Sequence, residues 1–226
     1  RGRTVRGLAM NEIPGAIPKI KVCGITNLGD ALLATALGAD SLGFNFYPKS
    51  ARYILPETAC AIIRNLPESV TAIGVFVNED IATIKRIAAE ANLAAIQLHG
   101  DEVPDYVKEV WHKTSLEIIK AFRVGPDFDL AAVGDCPAHA ILLDSYSARE
   151  RGGTGKTFEW KIAHEVQCST KAAVYLAGGL SDENVAQAIR EVRPFGIDVC
   201  SGVEFEPGKK DAEKMKRFFA AVRETI

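Results

Sequence analysis

The chain has 226 residues, 47% of them hydrophobic and 25% charged, with a formal net charge of -2, a composition that suits one sizeable globular core. That balance gives no electrostatic reason for a nucleic-acid or membrane partner, and no apolar run reaches the roughly 18 residues of a membrane span. The five cysteines, Cys23, Cys60, Cys136, Cys168 and Cys200, are odd in number and contain no Cys-x-x-Cys, which argues against a disulfide framework and a zinc site. Reduced thiols and a cytoplasmic setting are therefore expected.

Residues 1–18 hold three arginines and two prolines but no apolar stretch of the kind a secretory signal needs. They read as an N-terminal arm or an expression remnant before Met10, with a cleaved transit peptide as the alternative. From residue 19 to 226 no linker or shift of composition divides the chain, so one domain is expected. Short β-rich runs at 20–25, 41–46, 71–77, 94–99, 117–124, 139–145, 172–177 and 196–200 alternate with amphipathic runs that carry helix start and stop signals. Asn27 caps a run of Ala and Leu that ends at Gly38. Pro56 opens the next, which stops before Pro67, and Asn78 is followed by the acids Glu79 and Asp80, suited to a first turn. Asp101, Asp127 and Ser181 are candidate caps for the fourth, fifth and seventh helices; the sixth is expected over 158–167 and the last over 211–225. Eight strand-helix units, one per roughly 28 residues, predict an α/β fold, a single (β/α)8 TIM barrel. A doubly wound open sheet is the runner-up, because periodicity does not reveal closure.

Side chains alternate across a strand. Lys21 and Cys23, Asn45, Gln97 and His99, Lys120, Asp144 and Asp198 each occupy the face opposite Ile, Val, Leu or Phe. In a closed barrel that face opens at the C-terminal mouth, where sites are built. For Lys120 and Asp198 a buried ion pair inside the barrel stands beside contact with substrate. Cys23, at the end of the first strand and before Gly24, suits a nucleophile or base; a small buried core thiol is its other reading. Glycine pairs at Gly178 and Gly179 and the stretch Ser201-Gly202 follow strands seven and eight, where backbone N–H groups can approach a phosphate. Gly155-Lys156-Thr157 invites comparison with a Walker A loop, but the glycine required five residues earlier is Glu150, so the motif fails. Residues 145–157 read instead as a polar glycine-bearing loop able to fold over a ligand. Arg52, in the loop after strand two, can hold a carboxylate through two parallel hydrogen bonds, or be a solvated charge. No His, Cys and acidic residues have metal-ligand spacing, so no metal is expected.

The string Lys21-Val22-Cys23-Gly24-Ile25-Thr26, followed by Gly43-Phe44-Asn45-Phe46-Tyr47-Pro48-Lys49-Ser50-Ala51-Arg52-Tyr53-Ile54, resembles the phosphoribosylanthranilate isomerase family. Gln97-Leu98-His99-Gly100, Leu142-Leu143-Asp144, Gly152-Gly153-Thr154-Gly155-Lys156-Thr157-Phe158, Asp198-Val199-Cys200-Ser201-Gly202-Val203-Glu204 and Pro207-Gly208-Lys209-Lys210-Asp211 match it in the same order. The resemblance runs from about Lys19 to the C-terminus. It implies an isomerase of tryptophan biosynthesis that acts on a small phosphoribosyl substrate by an Amadori rearrangement, without a cofactor, as a monomer or homodimer. It also implies Cys23 as base, Asp144 as acid, Arg52 on the anthranilate carboxylate and His99 as a substrate-pocket residue.

For those roles Asp144 must stay protonated and Cys23 must ionise readily, for which Lys21 on the same face could serve. The chain departs from the family pattern at Ala177 and Cys200, where Ser is usual, and in the loop Tyr146-Ser147-Ala148-Arg149-Glu150-Arg151. Two rivals share the phosphate loops. One is another phosphosugar barrel enzyme, such as an indole-glycerol-phosphate synthase or an epimerase, and the other is a barrel that binds a phosphosugar without acting on it.

Overall fold

Strands buried on both faces and helices with one apolar stripe find a stable arrangement only when the helices cover the outside of a parallel sheet. The computed structural model, which describes residues 17–126, 128–145 and 160–225, has this arrangement. In order run β1 (Lys19–Cys23), α1 (Leu28–Leu37), β2 (Ser41–Asn45), α2 (Pro56–Ile63), β3 (Thr71–Phe76), α3 (Ile81–Glu90), β4 (Ala95–Leu98) and α4 (Pro104–Thr114). The second half comprises β5 (Glu117–Val124), α5 (Leu130–Gly134), β6 (Ala140–Ser145), α6 (Trp160–Ser169), β7 (Ala173–Leu176), α7 (Val185–Val192), β8 (Gly196–Val199) and α8 (Ala212–Arg223). Each strand pairs in parallel with the next, and β8 pairs back onto β1 with Lys21 opposite Asp198 and Val22 opposite Val199. That last pairing closes the barrel and excludes the open sheet.

The helix starts follow the cap chemistry, with some displacements. Asn27 caps α1 by accepting from the Asp30 N–H at 2.9 Å, and Gly38 ends it in the left-handed conformation at φ 108°. Asp80 is the cap of α3 rather than a residue of its first turn. Asp101 does not cap α4: Val103 precedes Pro104, whose missing N–H suits a first helical position. Asp129 caps α5; Asp127 lies outside the described residues. Ser181 does not cap α7 either, because a turn runs from Ser181 to Asn184 before the helix begins, with the Ser181 N–H held by Asn184 Oδ1 at 2.9 Å. The sixth helix is described from Trp160, so residues 158 and 159 of its expected range fall outside.

Two apolar layers result. The larger lies between strands and helices and includes Val22, Leu42, Phe44, Ile96, Leu98, Ile141, Leu143, Met215 and Phe218. The smaller fills the barrel with Ile73, Ile119, Ala121, Leu142, Tyr175 and their neighbours. Lys120 corrects the parity expected of β5: its register partners are Leu98 and Ile141, both outer-layer residues, and the inward residues are Ile119 and Ala121. Lys120 is instead buried with Glu102, Nζ to Oε2 at 2.9 Å, and also donates to the Gly100 carbonyl at 2.9 Å. Between β8 and α8 the chain makes a short 3-10 turn at Ser201–Val203 and a hairpin, β9 (Glu204–Glu206) and β10 (Lys209–Lys210), before Asp211 caps α8.

Candidate active site

Cys23 ends β1 on the inward face, half-buried at the barrel mouth. Two residues deeper on that face, fully buried Lys21 bonds Asp198 of β8, Nζ to Oδ1 at 2.9 Å. Burial lifts the Asp198 carboxyl to about 7 in spite of that ammonium group. A hydrogen bond from the Cys200 thiol holds Cys23 well below the usual thiol range, and the charges of Lys21 and Lys210 add to it against the opposing effect of burial. The same contact pushes Cys200 up. A thiol so placed is nucleophilic and basic at neutral pH.

Lys210, from the hairpin, is the second cation at the thiols. Its Nζ donates to the Cys23 carbonyl at 2.5 Å, to the Cys200 carbonyl at 3.3 Å and to Glu204 Oε1 at 2.9 Å. Glu204 also takes Arg52, whose Nε lies 3.0 and 3.1 Å from its two oxygens and whose Nη2 lies 2.7 Å from Oε2. Burial would raise the Glu204 carboxyl, but Arg52 and Lys210 hold it below its ordinary value. The loop that carries Arg52 is pinned by Asn45 at the end of β2, which donates to Ser50 Oγ at 3.1 Å and accepts from the Tyr47 N–H at 2.9 Å. The Arg52 stem crosses the Gly24 turn, where a Cβ would lie 2.7 Å from Arg52 Cδ and 3.0 Å from Cys200 Sγ. Arg52 thus reaches the mouth with one carboxylate already on it.

Across the mouth, Gln97 Nε2 donates to His99 Nδ1 at 2.7 Å. That leaves the ring proton on Nε2, which donates to Asp144 Oδ2 at 3.2 Å. Asp144, at the end of β6 and mostly buried, stands in register with Arg123 of β5. Arg123 reaches the His99 carbonyl at 3.4 Å. Between the acid strand β6 and the thiol strand β1 lie β7 and β8 with their loops. Gly178 and Gly179 are both left-handed, at φ 77° and 68°. Gly202 is packed so closely on Leu180 that a Cβ would sit 1.9 Å from its carbonyl oxygen. Asn184 holds the first loop through the Gly179 carbonyl at 2.8 Å. Ser201 opens the 3-10 turn beside it.

The eight residues singled out in the sequence therefore fall into three neighbouring groups at one mouth: Cys23 with Arg52, His99 with Asp144, and Gly178, Gly179, Ser201 and Gly202 between them. Glu204, Lys210, Arg123 and Asn184 were not singled out. Arg123 was within reach of strand parity, once β5 was read in the correct phase. Glu204, Lys210 and Asn184 lie in loops and turns, where no periodicity indicates direction. The polar loop 145–157 lies outside the described residues beyond Ser145.

A family model described as N-(5'-phosphoribosyl)anthranilate isomerase matches residues 20–221. The curated N-(5'-phosphoribosyl)anthranilate isomerase of Trichlorobacter lovleyi is 46% identical over 208 residues, spanning 92% of this chain and 99% of that protein. The crystal structure of the phosphoribosyl anthranilate isomerase from Thermotoga maritima superposes with a TM-score of 0.84 at 41% identity, covering 92% of this chain and 99% of that one. A phosphoribosyl anthranilate isomerase in complex with reduced 1-(o-carboxyphenylamino)-1-deoxyribulose 5-phosphate superposes with a TM-score of 0.82 at 40% identity, covering 92% and 99%. With a match across nearly the whole barrel and the fold in common, the chain belongs to the N-(5'-phosphoribosyl)anthranilate isomerase family.

Proposed function

We propose a division of labour for the isomerisation that this chain catalyses in tryptophan biosynthesis, the Amadori rearrangement of N-(5'-phosphoribosyl)anthranilate to 1-(2-carboxyphenylamino)-1-deoxyribulose 5-phosphate. Asp144 is the acid. It gives a proton to the ribose ring oxygen as the C1′–O bond breaks and the anilino nitrogen forms a Schiff base at C1′. His99 supports this by holding Oδ2 through its Nε2–H, which leaves Oδ1 to carry the proton. Cys23 is the base. The Schiff base acidifies the C2′ hydrogen, the thiolate removes it, and the resulting enolamine relaxes to the 2-keto product. Arg52 pairs with the anthranilate carboxylate, and the backbone at Gly178, Gly179, Ser201 and Gly202 receives the phosphate.

The observation that carries this reading is the order around the mouth: the thiol of β1 and the carboxyl of β6 flank the two glycine loops of β7 and β8. A substrate held there by its phosphate meets the base on one side and the acid on the other. The residues given these roles all belong to one chain, as action by a monomer or a homodimer would require. We place the catalytic barrel at residues 19–226, with 1–18 as an arm outside it, and the enzyme in the cytoplasm, where free thiols persist. All five cysteines are free, and among the described residues no helix is long and apolar enough to cross a membrane.

The test follows the loss of anthranilate-type fluorescence from phosphoribosylanthranilate. Cys23→Ser and Asp144→Asn should each lower kcat by about 10² to 10⁴, the usual scale for one acid or base, with circular dichroism unchanged. A folded Cys23→Ser variant with near parental turnover would remove the thiol from the mechanism and make His99 the leading base.

A further inference from the structure

We propose that Cys23 and Cys200 form a reversible oxidative modification site, in which a hydroperoxide converts the two thiols into a disulfide across β1 and β8. The register carries the first part of the argument. Lys21 is opposite Asp198 and Val22 is opposite Val199, and Cys23 and Cys200 are the next residue on each chain, with the backbone of Cys200 turning out of the strand at φ -130° and ψ -85°. Lys21 and Asp198 meet inside the barrel at 2.9 Å, and Cys23, two residues further along β1, shares that face. Neighbouring strands lie about 4.8 Å apart, within the roughly 4.4 to 6.8 Å between Cα atoms that a disulfide spans.

The local contacts carry the second part. Cys200 Sγ lies 3.9 Å from Lys210 Nζ and 3.0 Å from where a Cβ on Gly24, the residue after Cys23, would sit. Lys210 holds the two strand ends side by side through both cysteine carbonyls, at 2.5 and 3.3 Å. Both cysteines are half-buried at the open mouth, within reach of a small oxidant. The family pattern has Ser where this chain has Cys200, so the pair is a property of this sequence rather than a requirement of the reaction.

The chemistry is balanced in two steps. The Cys23 thiolate, flanked by Lys21 and Lys210, attacks one peroxide oxygen; the S–O bond forms, the O–O bond breaks, and hydroxide or alkoxide leaves and takes up a proton. Cys200 then attacks the sulfenic sulfur; the S–S bond forms, the S–O bond breaks, and its thiol proton leaves with the hydroxide as water. Two sulfurs lose two electrons, and the peroxide is reduced to water and an alcohol or a second water. A dithiol reverses the linkage by exchange. The linkage itself does not depend on the catalytic roles, but its effect on turnover rests on Cys23 being the base as proposed above.

The full chain, reduced and then exposed to hydrogen peroxide, should be alkylated and digested without reductant. Mass spectrometry should find a Cys23–Cys200 linked peptide two hydrogens lighter than its parts, rising as turnover falls to a few per cent and reversed with it by dithiothreitol. In Cys200→Ser, compared with its own untreated activity, Cys23 should pass on to sulfinic acid, and dithiothreitol should restore nothing. Sulfinic acid at Cys23 in the parent chain, or a link from Cys23 to Cys136 or Cys168 in place of Cys200, would overturn the proposal. These parental spectra decide it even if the variant does not fold. A Cys23–Cys200 link with full turnover would uphold the modification site and overturn Cys23 as the base.

Discussion

Replacing Lys21 by Met tests how the thiol is ionised, because Lys21 is fully buried beneath Cys23 and pairs with Asp198 at 2.9 Å. Without it Cys23 keeps the Cys200 hydrogen bond and Lys210 but loses the buried ammonium. The thiol therefore rises toward its ordinary range without reaching it, so kcat/KM should fall at pH 7 by less than the roughly 30-fold of a thiol fully returned to about 8.5, and recover toward pH 9. The same change strands Asp198, and removing one partner of a buried pair costs about 3 to 5 kcal/mol. Burial already lifts Asp198 to about 7, and without Lys21 it goes higher, against about 3.9 in the unfolded chain. Between those values the folded variant holds one proton more than the unfolded chain. Its stability therefore falls as pH rises, by about 1.4 kcal/mol per pH unit. Urea unfolding at pH 6 and pH 8 reads the second effect, and the pH dependence of fluorescence-monitored kcat/KM reads the first. In Lys21→Met/Asp198→Leu the stranded carboxyl is gone, so stability should return while the rate profile stays displaced. A Lys21→Met profile with the parental acidic limb would refute the assignment of Lys21 to the thiol.

Arg52→Ala should lose about 1.5 to 3 kcal/mol of charge-assisted binding, seen as a roughly 10- to 150-fold rise in KM. Glu204 retains Lys210 at 2.9 Å and the Gly208 N–H at 3.2 Å, so the fold should persist; a fall in kcat alone would mean that Arg52 acts through Glu204 and the thiols instead of the carboxylate. Gly202→Ala puts a Cβ 1.9 Å from the Leu180 carbonyl oxygen, where backbone cannot yield as a side chain would. It should part the two glycine loops, cost about 1 to 3 kcal/mol of stability, and weaken competitive inhibition by inorganic phosphate; unchanged inhibition would move the phosphate away from these loops.

The alternation of eight short apolar runs with capped helices was readable directly, because strand and helix periods and cap preferences are local. Parity likewise sent Lys21, Cys23, Asn45, Gln97, His99, Asp144 and Asp198 to one side, since in each strand an apolar residue stood plainly on the other. It failed at Lys120. In Glu117–Val124 both faces are apolar around the lysine, with Ile118 and Ile119 side by side, so the strand contains no phase of its own. Only pairing with Leu98 and Ile141 determines which face is outward. The loops behaved in the same way: Glu204 and Lys210 stand among matched residues, yet nothing local indicates that one takes Arg52 from 152 positions away or that the other reaches the Cys23 carbonyl from 187. Local sequence thus determined the elements and, for most strands, the inward face. Closure of β8 on β1, the Lys21–Asp198 pair and the bridging of the Cys23 and Cys200 carbonyls by Lys210 were decided only by the tertiary structure, because each joins groups far apart in the chain whose meeting depends on the register of every strand between them.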